Sequence, residues 1–319
     1  MPKKFKKEIK LVRALTRKKG WEIDHDALLK AFRRPKLRFV YLEVGLEEGR
    51  PAFLKFAPTE ELLVNLVRER EFLLFLEKKF SGLSPRVLDF GSSWTLVEFL
   101  EKGILCQEEE TAVLKPNGVK PLVKALKQLQ GFSGKVPAKV LKFSDHPLNY
   151  TSLKRTKEAI LEINNFLRDY PQAKDYPFLA VEKFLLDLPE RKKKGGVVVH
   201  GDLAPNNVSF ARDGSRVVLL DWEWAGYNPE VTVARAFDFA NFYLRCWRNP
   251  SFQKSLKAAY VREKGADPQE LTLGIVFQGA RQISGLCYLQ HEKGPYLKEH
   301  LQALIDLVKK ALPPFKTGL

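Results

Sequence analysis

The period of the apolar positions changes along the chain, and each change marks an element. Phe5, Ile9, Val12 and Leu15 share one face of a helix with Lys and Arg around the rest, which predicts a basic amphipathic helix over residues 5–19. Residues 27–34 and 37–44 read as two strands about Pro35 and Lys36, the second alternating Phe39, Tyr41, Glu43 with Val40, Leu42, Val44. A third strand over 51–57 contains Lys55. Residues 59–80 form a helix in which Leu62, Leu66, Glu69, Leu73 and Leu76 share a face, and strands over 86–90 and 94–99 follow.

Beyond Leu100 the helical period takes over. Helices are predicted over 120–130, 152–170, 176–186, 233–247, 250–264, 268–291 and 295–312. A short apolar strand over 197–200 and a hairpin of 209–210 with 217–220 around Asp213–Gly214 interrupt them. The expected organisation is α+β: a basic helix or arm over 1–20, a β-rich lobe over 21–101 with one helix, and a mainly helical lobe over 102–319.

Composition changes this picture in two places. Lys and Arg exceed Asp and Glu by 54 to 38, and residues 1–40 hold 14 basic against 4 acidic side chains. That local excess points to an anionic partner, and residues 1–20 suit peripheral contact with an anionic membrane or a solubilising arm. No helix-turn-helix, RNA-binding sheet or zinc-finger signature is present, so nucleic acid is not an expected partner. Cys106, Cys246 and Cys287 are odd in number and lack metal-ligand spacing. With no apolar N-terminal stretch and no run long enough to cross a bilayer, they indicate a reducing, cytoplasmic setting.

Candidate chemistry is concentrated in VVVHGDLAPNNVSFARDGSRVVLLDWEWAG, residues 197–226. A strand delivers His200-Gly201-Asp202, Asn207 follows five residues after Asp202, and a second strand ends at Asp221. Two carboxylates and a carboxamide are hard oxygen donors that suit Mg²⁺. Phosphoryl transfer needs a base that orients the attacking hydroxyl, metal on the phosphates, and a cation on the α/β-phosphates. In that scheme Asp202 is the base, and Asn207 and Asp221 are the metal ligands, in the spacing of a kinase catalytic loop. The histidines show no metal-ligand spacing with His200.

HGDLAPNN followed by VVLLDWEWAGYNP resembles the aminoglycoside phosphotransferase/choline kinase branch of the protein-kinase-like bilobal fold, with Gly201 for the kinase Arg and Asp221-Trp222-Glu223 for D-F-G. The resemblance spans residue 37 to about residue 245. It implies ATP, with GTP as alternative, together with Mg²⁺ and a small-molecule hydroxyl acceptor. It makes Lys55 the phosphate-anchoring lysine and Glu69 its partner, with Glu71 as the alternative. Adenine would be held by backbone groups near Glu98 and Leu100, and His200 would hold the catalytic loop by side-chain hydrogen bonds.

The chain departs from the family pattern twice. Arg33-Arg34-Pro35-Lys36 stands where a glycine-rich loop is expected, so Arg33 and Arg34 are candidate phosphate contacts in place of bare amides. Thr232 stands where a second anchoring Asp is expected, with Asp238 a turn further on as its replacement.

Residues 106–199 carry 17 basic and 11 acidic side chains, and residues 200–319 carry 15 and 12. Neither half suits a polycation, so a neutral or anionic acceptor is expected. Trp222 or Trp224 could stack on a sugar ring. Two other readings are a membrane-surface saccharide or lipid-linked sugar kinase, and a catalytically inactive nucleotide-binding module.

Overall fold

The computed structural model describes residues 5–32, 39–100, 118–132, 135–142, 152–189, 196–210, 217–228, 235–262, 267–288 and 295–314. The chain divides into two compact units, Met1–Gly103 with Val218–Trp224, and Ile104–Val217 with Ala225–Leu319. The first unit includes Val218–Trp224, and with it Asp221.

The first unit is built on five antiparallel strands: β1 (Glu22–Ile23), β2 (Val40–Gly45), β3 (Pro51–Phe56), β4 (Val87–Phe90) and β5 (Trp94–Glu98). Their order in the sheet is β1-β2-β3-β5-β4. Side-chain alternation gives the sheet two different faces. Val40, Leu42, Val44, Ala52, Leu54, Phe56, Trp94 and Leu96 form one face, buried together with Ile9, Val12, Leu28 and Phe32. Ile9 and Val12 belong to α1 (Lys6–Lys19), and Leu28 to α2 (His25–Ala31). The apolar face of α1 is therefore part of the core of this unit. The opposite sheet face carries Tyr41, Lys55 and Thr95 in register across β2, β3 and β5. There Leu66 of α3 (Glu60–Lys79) packs with Phe39 and Ala57.

Of residues 27–34, expected as a strand, Ala27–Ala31 are helical. Asp24 caps α2, its carboxylate accepting from the backbone N–H groups of Asp26 (2.8 Å) and Ala27 (3.2 Å). That cap satisfies amides which a helix start would leave orphaned, and so favours a helix here. Arg33, Arg34, Pro35 and Lys36 thus follow a helix and lie outside the described residues.

The second unit is mainly helical: α4 (Val119–Gln130), α5 (Ala138–Leu141), α6 (Leu153–Arg168), α7 (Phe178–Asp187), α8 (Phe237–Arg245), α9 (Pro250–Arg262), α10 (Pro268–Tyr288) and α11 (Pro295–Ala311). Leu273 through Ala280 are all buried, so α10 is the central helix, and α6, α8 and α11 pack on it. Two short strands, β6 (Val197–Val199) and β9 (Gly226–Asn228), pair antiparallel within this unit. β7 (Val208–Phe210) also belongs here, and β8 (Val217–Leu219) leads to Asp221; the connecting Asp213–Gly214 turn lies outside the described residues. Among the described residues no helix is long and apolar enough to cross a membrane.

The core position of α1 has a measurable consequence. Ile9 is fully buried whereas Leu11, two residues on, is 51% exposed. Ile9→Ala should destabilise the protein by about 2–5 kcal/mol, and Leu11→Ala by no more than about 0.5 kcal/mol. Urea unfolding of both variants checks this. Equally small effects would mean that α1 is a detachable arm.

Candidate active site

In the first unit the chemistry gathers around a buried lysine. β3 points Lys55 to the α3 side of the sheet because neighbouring Leu54 and Phe56 point to the apolar core. Lys55 Nζ lies 2.6 Å from Glu69 Oε2, 2.9 Å from Asp221 Oδ1 and 3.8 Å from Glu223 Oε2. It also sits over two rings, 4.2 Å from the centroid of Phe39 and 5.1 Å from that of Tyr41. Burial disfavours the ammonium, but Glu69 and Asp221 outweigh it and hold the Lys55 pKa well above the lysine range. Burial pushes the Glu69 carboxyl up, with Lys55 opposing. The same burial pushes the Tyr41 hydroxyl well above its ordinary value.

Glu69 does a second job. It is 7% exposed, on the α3 face that buries Leu66, Phe72, Leu73 and Leu76. Its Oε1 accepts from the Trp222 backbone N–H at 3.2 Å. Further hydrogen bonds fix the turn over Trp222–Trp224. Trp222 Nε1 donates to Leu219 O (2.8 Å), Arg68 Nη1 to Glu223 O (2.9 Å), and Leu219 N to Leu83 O (2.8 Å). Asp221 precedes this turn at φ 61°, the only described non-glycine residue with positive φ. A left-handed conformation costs an L-residue about 1–2 kcal/mol, and the surrounding bonds hold it there. Glu71, the alternative partner for Lys55, instead lies 3.8 Å from Arg70 Nη2.

The second unit holds the other half of the motif. β6, buried at all three positions, delivers His200, and Gly201 follows at φ 85°, a conformation that glycine adopts without a steric penalty. Asp238, in the first turn of α8, accepts from the backbone N–H groups of His200 (2.7 Å) and Gly201 (3.0 Å). The anchoring role expected of an Asp in this stretch thus falls to Asp238, while Thr232 lies outside the described residues. Burial pushes the Asp238 carboxyl up, and His200 and the two amides pull against it. His200 Nδ1 accepts from the Asp202 N–H at 3.4 Å, which gives His200 the structural role the family resemblance implied. Asn207 Nδ2 donates to Asp202 O (2.8 Å), and Asn241 Nδ2, one turn beyond Asp238, donates to Leu203 O (3.0 Å). Gln282 Nε2 in turn donates to Asn241 Oδ1 at 2.9 Å. Sequence reading missed Asn241 and Gln282. Asn241 could have been found three residues after Asp238, on the same helical face.

Other candidates fare differently. The Glu98 carboxylate accepts from Arg86 N (3.1 Å) and Nε (2.9 Å), and Glu98 N donates to Arg86 O (3.0 Å). Its side chain and amide therefore tie β5 to the start of β4. Leu100 follows β5, half-buried. Trp222 is fully buried and unavailable to a sugar ring, whereas Trp224 is half-buried.

Both units carry donors that fit Mg²⁺. Around Lys55 the Asp221 carboxylate is the most exposed of the three, its side chain 32% exposed. In the second unit the Asn207 amide is oriented through Nδ2, so its Oδ1 is left without a hydrogen bond from a described residue. Among the described residues no group of three or more His, Cys, Asp and Glu could hold a metal by itself. A Mg²⁺ site completed by substrate phosphates needs only one or two carboxylates from the protein.

The model of the phosphotransferase enzyme family, APH, matches residues 41–273, and the chain belongs to that family. No curated protein matches the sequence. Among solved structures, the macrolide 2'-phosphotransferase apoenzyme from Brachybacterium faecium is similar at TM-score 0.61 and 16% identity, covering 91% of this chain and 96% of that one. The GDP complex of wild-type aminoglycoside 2'-phosphotransferase-IIIa reaches TM-score 0.61 at 15% identity, with 96% and 99% covered. An ethanolamine kinase from Plasmodium vivax reaches 0.52 at 14% identity, with 92% and 82% covered. The fold is the α+β fold of the protein-kinase-like phosphotransferases.

The anchor on the catalytic loop is testable. Asp238→Ala leaves two backbone amides without acceptors, at about 1–3 kcal/mol each, whereas Asp238→Asn keeps an acceptor oxygen. The alanine variant should lose about 2–5 kcal/mol of stability and the asparagine variant markedly less. Equal losses in urea titrations would show that one acceptor oxygen is not enough and that both carboxylate oxygens are needed.

Proposed function

We propose that this protein is an ATP-dependent small-molecule kinase that moves the γ-phosphate to a hydroxyl of a neutral or anionic acceptor. The observation that carries this reading is the buried Lys55 ammonium, clamped by Glu69 at 2.6 Å and Asp221 at 2.9 Å. A cation held in place before nucleotide arrives is pre-organised for the α/β-phosphates and avoids reorganisation during the reaction. Asp221 and Asn207 would hold Mg²⁺. When bound, Mg²⁺ would neutralise charge on the transferring phosphate.

Asp202 is the group to orient the acceptor. Its backbone is held by His200 and Asn207, while its carboxylate has no hydrogen bond or ion pair among the described residues. The carboxylate can therefore accept the acceptor's hydroxyl proton. Solved relatives include a GDP complex and a streptomycin–ATP complex, which supports a purine nucleotide, ATP or GTP, in this chain. The absence of an acidic excess in residues 106–319 favours an uncharged or anionic acceptor over a polycation. The buried thiols Cys246 and Cys287 suit a reducing cytoplasm.

A screen of hydroxyl metabolites for γ-phosphate transfer from Mg-ATP tests the reading. No transfer to any acceptor, and no slow Mg-dependent ATP hydrolysis, would favour an inactive nucleotide-binding module. Asp202→Asn should lower kcat by about 10²–10⁴ with ATP affinity nearly intact. Normal turnover in that variant would remove Asp202 from the role.

Asp221→Ala should weaken Mg-ATP binding and turnover together, read by nucleotide titration at varied Mg²⁺. An unchanged Mg²⁺ dependence would make Asp221 a turn residue only.

A further inference from the structure

With its apolar face committed to the sheet, α1 still presents a second, outward face. Lys6, Lys7, Lys10, Arg17 and Lys18 are all exposed along it. At 100° per residue they fall within about 120° of arc, and they run the helix's length of about 21 Å. None of the five meets a carboxylate within ion-pairing distance among the described residues, although nearby Lys19 pairs with Asp89 at 2.7 Å. Glu8, the acidic residue of α1, lies off this arc and is half-buried. Exposed Ala14 lies among the cations, and exposed Leu11 borders the arc beside Lys18.

We propose that this face of α1 docks on an anionic lipid surface. Charge complementarity asks for a polyanion, because exposed like charges without partners repel one another and gain from anionic headgroups. The other residues on the face favour lipid over nucleic acid. It carries no Asn, Gln, Ser, Thr or aromatic side chain to read bases or stack on them. Leu11 can instead enter the headgroup boundary. The mode also differs from an inserted amphipathic helix, whose apolar stripe enters the acyl region. Here Ile9 and Val12 remain in the protein core, so α1 keeps its fold and the attachment is electrostatic and sensitive to salt.

The test is flotation of the full chain with phosphatidylcholine vesicles, with and without about a third phosphatidylglycerol. Binding is expected only to the anionic vesicles at about 0.05 M NaCl and should be lost by about 0.5 M. Each cation removed should weaken partitioning about fivefold, so Lys6→Gln/Lys10→Gln/Arg17→Gln should weaken it about a hundredfold. The charge-retaining Lys6→Arg/Lys10→Arg/Arg17→Lys variant should bind like the parent. All three positions are exposed, so melting temperatures should not change. Equal binding to neutral vesicles, no binding at low salt, or an unaffected glutamine variant would overturn the proposal. So would tighter binding to duplex DNA, lost in the same variant, which would assign the face to nucleic acid. The binding is read without nucleotide and so stands or falls apart from the phosphotransfer reading.

Discussion

The buried contact between Lys55 and Glu69 sets the terms for the rest of the first unit. A charge without a partner in this environment is prohibitive, and removing one member of such a pair costs about 3–5 kcal/mol. The sheet must therefore hold a register that turns Lys55 toward α3, and α3 must rotate its Glu69 inward among leucines and phenylalanines. Glu69 also binds the Trp222 amide, so the same carboxylate fixes where Asp221 leaves β8. One side chain thus links β3, α3 and the turn after β8, three parts of the chain more than 150 residues apart at their extremes. The positive φ of Asp221 is stable only because that turn is bound at Trp222 N, Trp222 Nε1 and Glu223 O together.

The second unit solves a similar problem with a different donor set. Asp238 is a buried carboxylate without a lysine or arginine ion pair among the described residues. Two consecutive backbone amides and His200 favour its charged form and offset part of the cost of its burial. Gly201 makes the arrangement possible: its left-handed backbone lets the His200 and Gly201 amides point to the same carboxylate while the chain turns to present Asp202. Asn241 and Gln282 extend the support outward to α8 and α10. The backbone of the loop is hydrogen-bonded from behind, and the Asp202 carboxylate has no hydrogen bond or ion pair among the described residues.

What the sequence disclosed follows the same division. The helix carrying Glu69 was legible because a charged residue recurred at core spacing, and burial made its need for a partner a physical statement. Lys55 had no such signal of its own, since an alternating strand places a lysine on a face without saying what covers that face. It was found through the family resemblance. The segment after Asp24 reads as a strand from its place before the Pro35–Lys36 turn, and the feature that decides for a helix is a single carboxylate, the Asp24 cap. The pairing of β6 with β9 went unseen: Gly226-Tyr227-Asn228 has neither period nor β-branched residues, and its strand character is imposed by the partner. The Arg33 and Arg34 reading falls outside the described residues.

A shared fold at 14–16% identity over about nine-tenths of the chain follows from the same energetics. In a packed apolar core, exchanging one hydrophobic residue for another of similar volume usually costs under about 1.5 kcal/mol. The helices of the second unit and the apolar face of the sheet can therefore be composed in many ways and say little of ancestry. A position that satisfies a buried charge or a buried amide has few substitutes, because the alternative is an unpaired group. Such positions here are Lys55, Glu69, Gly201, Asp221 and Asp238, of which Gly201 and Asp221 fall within residues 197–226 and Asp238 shortly after them. The motif over 197–226 is readable for that reason: it is the stretch in which polar satisfaction, not volume, decides which residue can stand.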